Sequence, residues 1–298
     1  MTALQDRKRE TGNGEPATGG RAACRGRPQS IVVLSVCVLL PVRHSPLLAQ
    51  LPPDLARERA AFSKWLATAP NSPLAAIALA PIGGGISIGS DGEVPLAGLP
   101  RHRLTESQGS VVLTGPEGRR TLPRGRLTPL GGYTMFVAGP AGRSTVTLFG
   151  PERARHDPSY FPFDSALVLA VTLARPDRPA SRRILGPNGL EVEASDAGTV
   201  AVTMVGAATA LHVYRIPGSS SDESSLMIYY RDQTNGNGSY PAGRFVELNA
   251  MPDGRYRLDF NRSQNPFCAY STVYPCPAPW PGNALPAPVR AGERYEPK

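Results

Sequence analysis

The sequence predicts an all-β protein of packed antiparallel sheets that carries one short N-terminal helix. Three observations lead there. Short apolar runs recur along the chain and are cut by Gly- and Pro-rich turns. The 298 residues include 32 Pro and 31 Gly, a density that long helices do not tolerate. With 41% hydrophobic and 19% charged residues the chain can build a core, which argues against wholesale disorder. No Gly-X-Y period runs through it and no apolar run reaches about 18 residues, so collagen-like and multi-span membrane classes are excluded.

Residues 1–49 read as a removable leader. The apolar run 31–40, with Arg25 and Arg27 before it and Arg43 after it, has the length of a signal-peptide core and is too short to span a bilayer. Ala49 supplies the small residue for cleavage before Gln50. A secreted or periplasmic location is expected, with no membrane span after signal removal; tethering through an uncleaved signal is the alternative. The leader holds seven of the 32 Lys and Arg and three of the 24 Asp and Glu, so the formal charge of +8 falls to +4, with 25 basic against 21 acidic residues. The remaining Arg residues are scattered, and no basic stripe with interleaved aromatics marks a nucleic-acid binder. Cys24 and Cys37 leave with the leader. Cys268 and Cys276 then suggest one disulfide in an oxidising compartment, closing a short loop worth roughly 2–3 kcal/mol. Zinc is the alternative, but there is no second Cys pair, and His102, His156 and His212 show no ligand spacing.

After Pro52-Pro53, residues 54–67 read as an amphipathic helix with Asp54 as N-cap and Leu55, Phe62, Trp65 and Leu66 on one side. Residues 50–72 therefore form a helix and linker, 73–150 a first β module and 151–298 a second. Strands are expected at 86–88, 110–114, 133–138, 144–149, 166–173, 200–205, 210–216, 226–230, 244–248 and 255–261. Gly83-Gly84-Gly85, Asp91-Gly92, Pro187-Asn188-Gly189 and Pro252-Asp253-Gly254 are among the turns between them. Residues 217–225 read as a polar loop, Tyr229 and Tyr230 as alternating core and surface, and the Pro-rich tail from 275 as extended over the surface.

The last 70 residues are dense in unusual polar combinations: Arg231-Asp232-Gln233-Thr234, Tyr240 with Gly243-Arg244, Leu258-Asp259-Phe260-Asn261-Arg262, Asn265-Pro266-Phe267-Cys268-Ala269 and Cys276-Pro277. In this order they resemble the domain of unknown function 1684 family of bacteria and archaea, and looser resemblance reaches from about residue 73 to 296. The chain departs from that pattern in having Phe149-Gly150 where an Arg-Asp pair is usual, and in lacking a Trp near Leu79. The resemblance implies no particular activity. Ile88-Gly89-Ser90-Asp91 also looks like the start of a forkhead-associated-type sandwich. The Arg and Ser-x-x-His elements of that module's phosphothreonine reader are absent here, so the likeness implies a sandwich and not phosphopeptide binding.

Alternation over 255–261 sets Tyr256, Leu258 and Phe260 on one face and Arg257, Asp259 and Asn261 on the other. With Arg231, Asp232, Thr234, Tyr240, Arg244, Arg262 and Asn265 these residues form the candidate binding face. Its partner would be an unidentified small molecule, or the face would serve structure alone, with Asp232 and Asp259 pinned by Arg231, Arg244 or Arg262. A hydrolase using Asp232 or Asp259 as general base beside Tyr240 and Arg244 is the alternative. No Gly-x-Ser-x-Gly, His-Glu-x-x-His or phosphate loop occurs, and neither a cofactor nor a metal is expected. Asn235-x-Asn237-x-Ser239 lacks the carboxylates of a calcium loop and reads as a hairpin turn, and His156-Asp157-Pro158 reads as a loop turn.

Overall fold

A computed structural model describes residues 50–218 and 223–296; the expected leader and the middle of the 217–225 loop lie outside the described residues. Helix α1 is Pro53–Thr68. Pro53 opens it, where the missing N–H costs nothing. Asp54 does not cap the helix: the cap position is Pro52, and Asp54 sits in the first turn facing Arg262. Leu55 and Leu66 are buried, and Phe62 and Trp65 pack against Tyr270 in a small cluster with Leu74.

The first β module contains β1 (Ala76–Pro81), β2 (Ile86–Gly89), β3 (Val94–Pro95), β4 (His102–Ser107), β5 (Ser110–Gly115), β6 (Gly118–Leu122), β7 (Leu127–Leu130), β8 (Tyr133–Ala138) and β9 (Thr145–Phe149). Two sheets result, in the orders β1-β9-β8-β7 and β3-β2-β4-β5-β6. Period-2 side chains from each sheet meet in one core: Ile88, Leu104 and Leu113 from one, Met135, Val146 and Leu148 from the other. Each such side chain contributes roughly 1.5–3 kcal/mol on leaving water.

The second module holds β10 (Val168–Val171), β11 (Leu173–Ala174), β12 (Ser181–Leu185), β13 (Glu191–Met204), β14 (Ala207–Pro217), β15 (Ser224–Tyr230), β16 (Arg244–Ala250) and β17 (Tyr256–Asp259). The sheet order is β10-β17-β16-β15-β14-β13-β11, with β12 also on β13. Its two ends, β10 and β11, are separated only by Thr172, so the sheet closes on itself as a barrel. Closure depends on Gly198. A Cβ there would lie 2.0 Å from the Ala174 carbonyl oxygen, and its φ of +121° is one that side-chain-bearing residues rarely adopt. The β13 bulge between Asp196 and Gly198 separates the half of β13 that pairs with β12 from the half that pairs with β11.

Val200, Leu211, Val213, Ile228, Val246 and Leu258 share one face and fill the barrel. Tyr214, Tyr229 and Phe245, on the opposite face, are covered by Trp280 and by Ile184 of β12. Tyr229 and Tyr230 are consequently both fully buried, and neither is at the surface. Three further expectations are corrected. The last strand stops at Asp259, whose carboxylate caps a 3-10 turn at Phe260–Arg262, so Asn261 is not on a strand face. Residues 165–167 form a 3-10 turn before β10. The Pro-rich tail does not simply lie on the surface, because Asn283, Leu285, Ala287, Val289, Ala291 and Glu293 are buried.

Candidate functional site

Residues 283–293 form an extended strap across the end of the barrel, and most of the polar motif is spent on holding it. Leu285, Val289 and Ala291 complete the barrel core. On one side the strap bonds to 231–233: Arg231 N donates to Asn283 O and Leu285 N to Arg231 O. On the other, Phe161 N donates to Gly292 O. Arg244, fully buried, donates to the carbonyls of Val289, Ala291 and Glu293 and, through Nη2, to Asp232 Oδ2 at 2.9 Å. The second Asp232 oxygen accepts from Val289 N at 3.0 Å and Thr234 N at 2.8 Å. The ion pair is out of water and its hydrogen-bonding capacity is almost wholly used, the condition under which a buried pair is tolerated. Asn283 performs a related task. Continuing the register from Tyr214↔Met227 would set His212 opposite Tyr229, but β14 and β15 splay there; the Asn283 amide inserts instead, accepting from His212 N and donating to His212 O and Tyr229 O.

Asp259 is the centre of a second cluster. Its Oδ2 accepts from Arg257 Nη2 (2.7 Å) and Arg262 Nε (3.1 Å), and its Oδ1 from the backbone and side chain of Asn261. Arg262 reaches on to Asp54 and Glu58, tying α1 to the barrel. Asn261 in turn donates to Asp164 O and accepts from Asp164 N.

A third cluster surrounds Glu293. The carboxyl is fully buried and accepts from Asn265 N (2.9 Å) and the Tyr270 hydroxyl, and among the described residues no cation forms an ion pair with it. Burial pushes its pKa up to about 7, against the opposing pull of the Asn265 and Tyr270 bonds. Burial and the neighbouring Glu293 charge likewise raise the Tyr270 and Tyr160 hydroxyls. Arg59 of α1 stacks over the Tyr160 ring at 4.1 Å, and His156 meets Tyr270 edge-on. Asn265 Nδ2 donates to Arg294 O. Tyr240 stands apart from the carboxylates, its hydroxyl 3.3 and 3.2 Å from the sulfurs of the Cys268–Cys276 disulfide. Among the described residues no group of three or more His, Cys, Asp and Glu could hold a metal ion, and no helix is long and apolar enough to cross a membrane.

The nine residues singled out from sequence are thus brought to one end of the barrel and its rim, but into separate clusters. Thr234 bonds Ser239 within the turn, Arg231 acts through its backbone, and Asp232 and Arg244 are sealed in. Of the nine, Arg262 alone lines the open groove on the outer face of β15–β17. That groove has a volume of about 420 Å³ and is lined by Met227, Phe245, Glu247, Asn249, Arg257 and Gln264, with Pro187 and Glu58 at its edges. Cross-strand register sets Met227 beside Glu247 and Asn249 beside Arg257. The side chains of Glu247, Asn249 and Gln264 make no hydrogen bond or ion pair among the described residues. Sequence reasoning passed over all three, although the parity of Phe245, Glu247 and Asn249 against Val246 and Leu248 already sets Glu247 and Asn249 on the outer face.

Fold and site together define an all-β protein whose second module is a closed barrel with a strapped mouth and a polar groove on its flank. A family model described as "Protein of unknown function (DUF1684)" matches residues 156–294, the barrel and its strap, and the chain belongs to that family. Among solved structures, the solution NMR structure of an uncharacterized protein of Haloarcula marismortui is similar. It is 33% identical, the match covers 47% of this chain and 76% of that one, and the TM-score is 0.40. No curated protein matches the sequence.

Proposed function

We propose that the protein is an exported, non-catalytic binding module whose ligand seat is the groove over β15–β17. One observation carries this reading: Glu247, Asn249 and Gln264 surround an apolar floor with their hydrogen-bonding capacity unspent. The carboxylates that a hydrolase would use are differently placed. Both oxygens of Asp232 and of Asp259 are already bonded within the fold, which favours a fastening role for them over proton transfer.

The test is amide chemical-shift mapping of the full chain against a library of small polar solutes. Shifts confined to 245–249, 257 and 264 are expected, whereas shifts centred on Asp232 and Tyr240, or none anywhere, would overturn the assignment. Export rests on the leader at residues 1–49, and N-terminal sequencing of protein recovered outside the cytoplasm should begin at Gln50.

A further inference from the structure

The geometry points to a neutral saccharide as the ligand of the β15–β17 groove, an inference that rests on the binding reading above. Four classes of ligand can be weighed against the groove's chemistry. An apolar ligand would cover three unpartnered polar side chains, and each buried without a partner costs as much as a lost hydrogen bond or more. An anion meets the Glu247 carboxylate, while the two guanidinium groups already face acids: Arg257 is bonded to Asp259, and Arg262 to Asp259, Asp54 and Glu58. A cation finds a single unpaired carboxylate, Glu247, because the Glu58 carboxylate is already held by Arg262.

An extended peptide has no strand edge to join, because β15, β16 and β17 are each paired on both sides within the closed sheet. A sugar ring matches what is left. Each hydroxyl both donates and accepts; Glu247 offers an acceptor, the Asn249 and Gln264 amides offer both, and Arg257 offers the Nη1 donors its bond to Asp259 leaves free. The less polar face of the ring would rest on Met227 and Pro187, which are partly exposed. The volume of about 420 Å³ lies in the range of small-molecule sites. The groove is open along the sheet, so a longer chain can lie through it.

The experiment is calorimetric titration of the full chain with malto-, cello-, xylo- and chitohexaose, with hexagalacturonate and an uncharged tetrapeptide as contrasts. At least one neutral hexasaccharide should bind saturably, with an affinity that barely changes with salt. Asn249→Ala should weaken it roughly fivefold, the scale of one neutral hydrogen bond. Glu247→Gln, which keeps an acceptor, should weaken it less. Both positions are exposed, and an unchanged melting temperature shows that the variants fold. If only hexagalacturonate or the peptide binds, and Asn249→Ala abolishes it, the neutral-saccharide assignment falls while the groove remains the seat. If nothing binds, or binding ignores both variants, the seat and the saccharide fall together.

Discussion

Replacing Glu293 by Gln should make the protein more stable at neutral pH, although it removes a carboxyl from the centre of a hydrogen-bonded cluster. Glu293 is enclosed by the strap, by Asn265, and by the Tyr270 and Tyr160 rings, and Arg244, whose charge acts on it, bonds its backbone carbonyl and not its carboxylate. Its pKa rises from 4.5 to about 7. At about 1.36 kcal/mol per unit, the ionised form costs the fold about 3 kcal/mol. The direction follows from which state binds the proton more tightly. A carboxyl raised in the folded state contributes fully below the unfolded value of 4.5, loses that contribution as pH rises to about 7, and changes little above it. Gln resembles the neutral acid at every pH. Urea denaturation of both proteins from about pH 4 to about pH 8.5 should therefore show two nearly coincident stabilities at the acid end. The gap should open in favour of Glu293→Gln toward about 3 kcal/mol at the alkaline end. A gap that is constant with pH, or that opens in favour of the parent, would refute the argument that desolvation dominates at this site.

Arg244→Met should cost about 3–5 kcal/mol in the same assay, because it leaves Asp232 buried without its cation and three strap carbonyls without a donor; a loss below about 1 kcal/mol would show the strap is held chiefly by its apolar contacts. Val205 and Gly206 form the two-residue turn of the β13–β14 hairpin, and Val205, 86% exposed, has a φ of +52° that suits Asn-Gly far better than a β-branched residue. Val205→Asn should raise stability by about 1 kcal/mol, and a drop in melting temperature would contradict that account.

Much of the architecture was legible because alternation survives wherever a strand buries one face. Tyr133–Ala138 coincides with its expected bounds, and 144–149 and 244–248 fall within a residue or two of theirs. Several of the strands that escaped bury little, although β4, also missed, buries His102 and Leu104. β6 buries only Leu122 and carries Arg119-Arg120, and β12 has no fully buried residue and opens Ser181-Arg182-Arg183. The first half of β13 contains Glu191, Glu193 and Asp196, which read as loop until β12 and the bulge give them a partner strand. At the site, the Asp232–Arg244 pairing is local enough to read from the chain. The strap that gives it meaning lies 45 to 57 residues away, and the Tyr270–Glu293 contact leaves no periodic trace in the sequence.

The strap also sets an order of events. Residues 283–293 follow every barrel strand in the chain, yet they supply three of the acceptors for Arg244 and one of the donors for Asp232. A barrel assembled without them would have to leave its mouth wet, since drying a guanidinium and a carboxylate with half their partners missing costs several kcal/mol. During synthesis the module therefore stays incomplete until its tail emerges, and only then can Arg244 and Asp232 be dried with their partners in place.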